Sequence, residues 1–181
     1  MQHFSDDALE TGQPITDGGC TGDSPCARPL AQWPTMNASA RPQARPREHY
    51  RAFRSIGTRW MDNDIYGHVN NVVYYSWFDT AVNGWLIEQG ALDIHAGEVI
   101  GLVIETQCNY FAPLAFPQAI EAGLRVAHLG SSSVRYEVGL FAQGESRAAA
   151  CGHFVHVYVD RQTRRPVPLP DTLRRTLQVI A

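Results

Sequence analysis

Apolar side chains recur at helical spacing between residues 72 and 89, and this spacing predicts one long helix. The recurring positions are Tyr75, Phe78, Val82, Trp85 and Leu86. Neighbouring apolar residues, among them Trp77 and Ala81, widen the apolar face, so we expect the rest of the domain to enclose most of this helix. Asn70 or Asn71 can cap its first turn, and Gly90 can end it.

Strand-like segments make up most of the remaining chain. One strand is predicted before the helix, over residues 50–59, and four follow it, over residues 99–113, 119–129, 132–143 and 147–160. Short connections with Gly, Pro and Ser separate the last four, which favours antiparallel pairing. A short helix capped by Asp171 is expected at the C-terminus. A five-stranded antiparallel sheet wrapped around one long helix is the order of the α+β hotdog fold.

The first 47 residues show neither of these periodicities. They are rich in Gly, Pro, Ser, Thr, Asp and Arg, so they cannot bury enough apolar surface to offset the entropy lost on ordering. We therefore predict a disordered N-terminal extension over residues 1–47 and one hotdog domain over residues 48–181. Met36 lies near the end of the extension, which leaves a later start codon open; the mass of the native protein decides between the two starts.

Composition and charge narrow the class of protein. The chain has 181 residues, of which 44% are hydrophobic, enough for one domain with a sizeable core. Its formal net charge of -3 lacks the basic excess that binds nucleic acid or anionic membranes. Cys20, Cys26, Cys108 and Cys151 lack CxxC spacing, which favours free thiols over a zinc site. Neither a signal peptide nor a membrane span is predicted, so the expected location is cytoplasmic.

A polar turn, residues 62–71, leads directly into the long helix and carries the strongest chemical signal in the chain. It contains two acids, a glycine, a histidine and three asparagines. The start of a helix presents free backbone N–H groups that can polarise a carbonyl and stabilise the oxyanion formed on attack. A nearby carboxylate can attack that carbonyl or activate water. A thioester suits this arrangement because its thiolate leaves readily.

The residues of this turn, read as DxDxxGHVNN, resemble the 4-hydroxybenzoyl-CoA thioesterase-like branch of the hotdog superfamily. The resemblance extends from about Tyr50 to the proline-rich tail at residues 166–170. It implies an acyl-CoA thioesterase that acts as a homodimer or homotetramer with its active site at a subunit interface. An acyl carrier protein thioester is the less favoured substrate, and neither a metal nor an organic cofactor is implied.

The family pattern also implies roles for individual residues. Its second acid is the catalytic carboxylate, here Asp64, acting as nucleophile or as general base. Gly67 matches the tight-turn glycine that allows close approach of substrate, and the backbone N–H at Asn71 polarises the thioester carbonyl. Ser133 and Arg135 match a turn and strand start that contribute to the acyl-CoA channel. Ordinary hairpin-turn chemistry explains the same Ser-rich sequence equally well.

Structural roles compete with catalytic ones at several positions. Asp62 is favoured as a cap or turn former, and His68 is either an acid or base or a hydrogen-bonding partner of the turn. Tyr66 can line an acyl pocket or pack in the core. Two further acids lie in the long helix: Asp79 is expected to make a structural hydrogen bond, and Glu88 is expected to be solvated.

Two other functions remain open from the sequence. A hotdog hydratase or dehydratase would remove the enoyl absorbance of crotonyl-CoA without releasing thiol, although the DxDxxGHVNN pattern matches that class poorly. A non-catalytic module would bind acyl-CoA in calorimetry without any hydrolysis. Chain length and identity of the acyl group depend on pocket depth, which residue spacing does not reveal.

Overall fold

The computed structural model describes residues 41–181 of the chain. Cys20, Cys26, Met36 and most of the predicted extension lie outside these residues, so the disorder predicted there stays a prediction. In chain order the elements are β1 (Ala52–Ile56), α1 (Asn71–Glu88), β2 (Val99–Tyr110), β3 (Ile120–Leu129), β4 (Ser133–Ala142), β5 (Ala150–Asp160) and α2 (Asp171–Gln178). Short 3-10 turns cover Arg47–His49 and Trp60–Asp62.

The five strands form one antiparallel sheet in the order β1-β3-β4-β5-β2. Successive side chains of the central strands point to opposite faces of the sheet. Leu124, Val138 and Phe154 are buried on the face that meets α1. β1 and β2 form the two edges of the sheet. The order and direction of the strands confirm the predicted hotdog architecture.

Helix α1 lies against the inner face of the sheet and begins and ends as predicted. The Asn70 side chain accepts a hydrogen bond from the Val72 N–H and caps the first turn. At the other end Gly90 has a positive φ of 64°, and the Ala91 N–H donates to the Leu86 carbonyl, which closes the helix. Seven side chains of the helix are buried: Tyr74, Trp77, Phe78, Ala81, Val82, Trp85 and Leu86.

All five predicted strands are longer than the observed ones, and the late starts of β1 and β5 have local causes. β1 begins at Ala52 because the Tyr50 N–H donates to the Arg47 carbonyl at 3.0 Å and closes the preceding 3-10 turn, while the Tyr50 ring packs beside Gly123 and Gly139 on the outer face of the sheet. β5 begins at Ala150 because the preceding Ala148 N–H bonds instead to the Arg45 carbonyl, at 3.0 Å.

The expected cap of α2 is also wrong. Pro170 occupies the N-cap position and Asp171 is the first helical residue, with no side-chain capping hydrogen bond at this end. Proline supplies a fixed φ just before the helix, so the chain enters the helix without a side-chain acceptor. The negative charge of Asp171 still lies in the first turn, where the helix dipole favours it.

An N-terminal arm, residues 41–50, precedes β1 and includes the last residues assigned to the extension. Its Arg47 N–H donates to the Ser146 carbonyl at 3.1 Å, and Pro46 forms a bridge with Arg147. The Arg47 guanidinium lies over the rings of Phe53 and Phe141, 4.5 and 5.1 Å from their centroids. The arm is therefore bonded to the outer face of the sheet.

Candidate active site

The polar turn folds back on itself before the helix begins. Asn63 and Val69 form an antiparallel bridge, and the Asp64 N–H donates to the His68 carbonyl at 2.8 Å. The Gly67 N–H donates to the Asp64 carbonyl at 3.1 Å, closing a reverse turn. Gly67 has a φ of 81°, a conformation that a side chain disfavours, which explains a glycine at this position.

Asp64 lies half-buried at the base of this turn. Its Oδ1 accepts the Tyr66 N–H at 2.8 Å, which fixes the direction of the carboxylate. No hydrogen bond within residues 41–181 occupies the other oxygen, Oδ2. The carboxylate borders a cleft of about 250 Å³ lined by Trp60, Asn63, Asp64, Ile65 and Gly67. One oxygen is thus held by the backbone while the second can meet a ligand.

The start of α1 leaves one amide free for a ligand. The Val72 N–H donates to the Asn70 side chain, and the Val73 N–H donates to the Asn70 carbonyl at 2.9 Å. Among residues 41–181 no acceptor is bonded to the Asn71 N–H, the first amide of the helix. This amide is the group assigned from the sequence to polarise a carbonyl, and the helix dipole adds to its effect.

The predicted site residues divide into two groups, one within the polar turn and one away from it. Asp64, Tyr66, Gly67, His68 and Asn71 are all part of the same turn, with Tyr66 83% exposed. The His68 carbonyl supports Asp64, whereas its ring makes no hydrogen bond within residues 41–181. His68 therefore supports the turn through its backbone, and its exposed ring is free to face a substrate.

Ser133 and Arg135 lie away from this turn within one chain. Ser133 begins β4, and its carbonyl accepts the Gly130 N–H at 2.8 Å, as in an ordinary hairpin. The Arg135 guanidinium bonds to Glu105 at 3.3 Å and to His153 at 3.0 Å on the outer face of the sheet. The bond from His153 lowers the pKa of Glu105, and Arg135 adds to this effect, so the carboxylate is ionised at neutral pH.

The two acids of α1 have structural partners. Asp79 is exposed and its Oδ1 accepts the Asn83 side-chain amide at 2.9 Å. Glu88 is 58% exposed and pairs with Arg54, whose guanidinium lies over Gly84 of the helix. Neither residue borders the cleft at Asp64.

Tyr110, at the end of β2, contacts the helix start and was not predicted as a site residue. Its hydroxyl donates to the Asn71 carbonyl at 3.3 Å, and its ring packs edge-to-face on Tyr74 at 4.9 Å. Burial of the hydroxyl, reinforced by Cys108, raises the pKa of Tyr110, so the group remains a donor throughout the physiological range. The sequence signal was a tyrosine ending a strand, which becomes informative only when the sheet register is known.

Comparison with known proteins identifies the family. Residues 58–177 match the model of the thioesterase-like superfamily, a span that contains the polar turn, α1 and all of α2 except its last residue. The chain belongs to the thioesterase-like superfamily. The predictions of the family and of a hotdog thioesterase are therefore confirmed.

Solved structures show how widely this thioesterase fold is shared. The PA5185 protein from Pseudomonas aeruginosa strain PAO1 is 60% identical, with a TM-score of 0.75 over 76% of this chain and 96% of that one. A thioesterase from Thermus thermophilus, complexed with coenzyme A and Zn, is 28% identical, with a TM-score of 0.61 over 74% and 96%.

A more distant structure shares only the fold. Slr0204 from Synechocystis, a 1,4-dihydroxy-2-naphthoyl-CoA thioesterase, is 16% identical, with a TM-score of 0.63 over 70% of this chain and 94% of that one.

Two general features complete the description of this thioesterase. Within residues 41–181, no helix has the length and apolar character needed to cross a bilayer. In the same part of the chain, no three His, Cys, Asp or Glu side chains are grouped to hold a metal ion. The cytoplasmic location and the lack of a cofactor stay predictions.

Proposed function

We propose that the protein hydrolyses acyl-CoA thioesters, with Asp64 driving cleavage and the Asn71 N–H polarising the thioester carbonyl. One observation carries this proposal: a single closed turn holds a carboxylate with a free oxygen beside a helix start with a free amide. These are the two groups that acyl transfer requires, one to supply or activate a nucleophile and one to stabilise the oxyanion.

Two routes are open to the Asp64 carboxylate. As a nucleophile, Oδ2 adds to the thioester carbonyl, the C–S bond breaks to release the CoA thiolate, and water then hydrolyses the resulting anhydride. As a general base, Oδ2 takes a proton from water as the water oxygen adds to the carbonyl, and the thiolate leaves with that proton. Both routes consume one water and yield a carboxylic acid and a thiol. In both, the Asn71 N–H donates to the oxyanion.

The choice of coenzyme A as the thiol rests on likeness to relatives. The Thermus thermophilus thioesterase, whose structure contains coenzyme A, is 28% identical and aligns over 74% of this chain. Tyr66, His68, Ser133 and Arg135 are assigned to substrate contacts by this proposal. An acyl carrier protein thioester is distinguished by comparing the same acyl group on the two carriers.

A homodimer or homotetramer is part of the proposal. The edge strand β2 exposes three consecutive apolar side chains, Leu102, Val103 and Ile104, beside a backbone edge that pairs with no strand of residues 41–181. Such an edge is commonly covered in stable proteins because it otherwise pairs with other chains. Trp60 and Ile65, at 82% and 93% exposed, add apolar surface next to the cleft. Light scattering after size-exclusion chromatography measures the assembly.

Hydrolysis of an acyl-CoA panel by the wild type and by Asp64→Asn tests the proposal. We expect the wild type to release free CoA from at least one member, and Asp64→Asn to lose about 1000-fold or more in kcat, because the amide neither attacks nor accepts a proton. Asp79→Asn is the matched control, an exposed acid of α1 away from the cleft, and should keep full activity. Unchanged turnover in Asp64→Asn would reject its catalytic role.

A further inference from the structure

Asp62 lies two residues before Asp64, and its environment is quite different. Its side chain is fully buried, with 0% of the residue exposed, whereas Asp64 borders the open cleft. Arg59 alone supplies the three hydrogen bonds that hold the Asp62 carboxylate. The Arg59 backbone N–H donates to Oδ2 at 2.7 Å, while Nε and Nη2 of the guanidinium donate to Oδ1 at 3.0 and 2.8 Å.

The main chain of Asp62 connects the two halves of the candidate site. Its carbonyl accepts the Asn70 N–H at 2.8 Å, and its own N–H donates to the Arg59 carbonyl at 3.0 Å. Asn70 caps α1 and immediately precedes the Asn71 amide, so this bond fixes the helix start. In the other direction, the peptide after Asn63 carries Asp64. The position of Asp62 therefore sets the distance between the Asp64 carboxylate and the Asn71 N–H.

The neighbouring bonds leave Asp62 little freedom to move. The Asn63 side chain accepts the Phe116 N–H at 3.0 Å, and the Val69 N–H donates to the Leu114 carbonyl at 2.7 Å. The turn is thus attached to the segment between β2 and β3 on both sides of Asp64. The Arg59 side chain is 62% exposed, and the Asp62 carboxylate is what draws its guanidinium back over the turn.

We propose that Asp62 is a positioning residue: held by Arg59, it keeps the Asp64 carboxylate and the Asn71 amide at the separation needed for attack on the thioester. The inference rests on the thioesterase function proposed above. It assigns a kinetic role to the ion pair of Arg59 and Asp62, neither of which is assigned contact with the reacting atoms. A carboxylate displaced by 1 Å can cost about 100-fold in rate, so small movements of the turn would be measurable.

Steady-state kinetics of Asp62→Asn test this role with the acyl-CoA that the wild type hydrolyses best. Asparagine keeps the size of the side chain but turns an N–H₂ group toward the Arg59 donors. We expect kcat to fall by about 10- to 100-fold while KM changes by less than about 3-fold, since the substrate contacts remain. Glu121→Gln is the matched control, because it removes a carboxylate paired with Arg47 at 3.0 Å on the outer face of the sheet. It should leave kcat unchanged.

Substitutions of Arg59 provide a second measurement if Asp62→Asn folds poorly. Arg59→Lys keeps the charge and one side-chain hydrogen bond, whereas Arg59→Gln removes the charge. We expect kcat per folded enzyme to decrease in the order wild type, Arg59→Lys, Arg59→Gln. The double variant of Arg59→Gln with Asp62→Asn should be no slower than the slower single variant, because the two residues act as one unit.

The outcomes separate this inference from the proposed function. If the wild type is active and Asp64→Asn is not, the thioesterase stands, and kcat within two-fold of wild type in a folded Asp62→Asn or Arg59→Gln would overturn the positioning role alone. The positioning role would also be overturned if an increase in KM accounted for the whole loss of kcat/KM, or if the kcat of Arg59→Lys were no higher than that of Arg59→Gln. If the wild type hydrolyses no thioester, both the proposed thioesterase function and the positioning role of Asp62 are rejected.

Discussion

His156 is a titratable side chain in the hydrophobic core, on the face of β5 that packs against α1. The residue is 2% exposed, and its ring lies 5.1 Å from that of Tyr136 and 5.9 Å from that of Phe154. Its Nε2 has no hydrogen-bond partner among residues 41–181. Burial lowers the pKa of His156 to about 4 from its ordinary value of 6.5, because the charged ring would be poorly solvated there.

This burial predicts a specific pH dependence of stability. Between pH 6.5 and pH 4 the unfolded chain binds a proton at His156 that the folded chain does not, so the free energy of unfolding falls as pH is lowered through this window. The loss attributable to His156 is about 3 kcal/mol, and it is absent above pH 6.5. Urea unfolding at pH 7.5, 5.5 and 4.5 measures it.

His156→Gln supplies the comparison, since glutamine has a similar size and does not titrate. Carboxylates contribute equally to both proteins, so the difference between the two pH curves isolates His156. The variant should show a flatter curve below pH 6.5, and parallel curves would contradict the assignment.

Among the site residues, those close together in sequence were predictable and those joined only by folding were not. Asp64, Gly67 and Asn71 belong to one turn, so a local motif is enough to place them together. Tyr110 reaches the Asn71 carbonyl from the end of β2, and that contact depends on the packing of the helix against the sheet. The hydrogen bonds of the buried Asp62 carboxylate are compatible with its predicted turn-forming role. That Arg59 is the residue bonded to this carboxylate could not be predicted from the sequence.

At the scale of elements, one contact between α1 and the sheet depends on a missing side chain. Phe78 of α1 is fully buried and lies against Gly152 of β5. A Cβ at position 152 would overlap both the Phe78 ring and the Gln107 carbonyl. Because one overlap is with the backbone of β2, rotation of the Phe78 ring alone cannot relieve both: β2 would have to shift against β5, and Phe78 would have to move away from the sheet.

Gly152→Ala should therefore destabilise the protein by about 2–3 kcal/mol, although it adds a single methyl group. Gly57→Ala is the matched control, since nothing lies within 4 Å of a Cβ at that exposed glycine. Equilibrium urea unfolding of the three proteins measures the difference. If Gly152→Ala and Gly57→Ala unfold at the same urea concentration, the structure accommodates the added methyl group without loss of stability.

The existence of each helix and strand was predicted more reliably than the residues at which it begins and ends. The helix α1 was recognisable because its apolar stripe, its Asn70 cap and its Gly90 terminus are all local signals. The start of β1 was misplaced because Tyr50 has the character of a strand residue, while its burial beside Gly139 requires a distant strand. The α2 cap failed for a related reason, since Pro170 and Asp171 are both acceptable at a helix start.

At the scale of the whole molecule, the edge strand β2 runs from an exposed apolar segment to the start of α1. Within residues 41–181, β2 pairs with another strand on one side only, and its exposed residues include Ile104 at 64%. The end of the same strand carries Tyr110, which contacts the helix start. A second copy paired along this edge would therefore lie close to the candidate site, as the proposed interface location requires.

A lysine in place of Ile104 tests this connection. An ammonium group without a partner is costly to bury between two strands, so we expect the dimer dissociation constant to rise by about ten-fold or more, equivalent to about 1.4 kcal/mol or above. Val179→Lys is the control, because Val179 is also apolar and is 76% exposed beyond the end of α2. Light scattering against protein concentration should show Ile104→Lys as a monomer where Val179→Lys matches the wild type. We expect acyl-CoA hydrolysis to fall with the dimer fraction, since in the proposed assembly the partner covers the edge beside the candidate site. Full activity in a monomeric Ile104→Lys would instead mean that one chain contains the complete site.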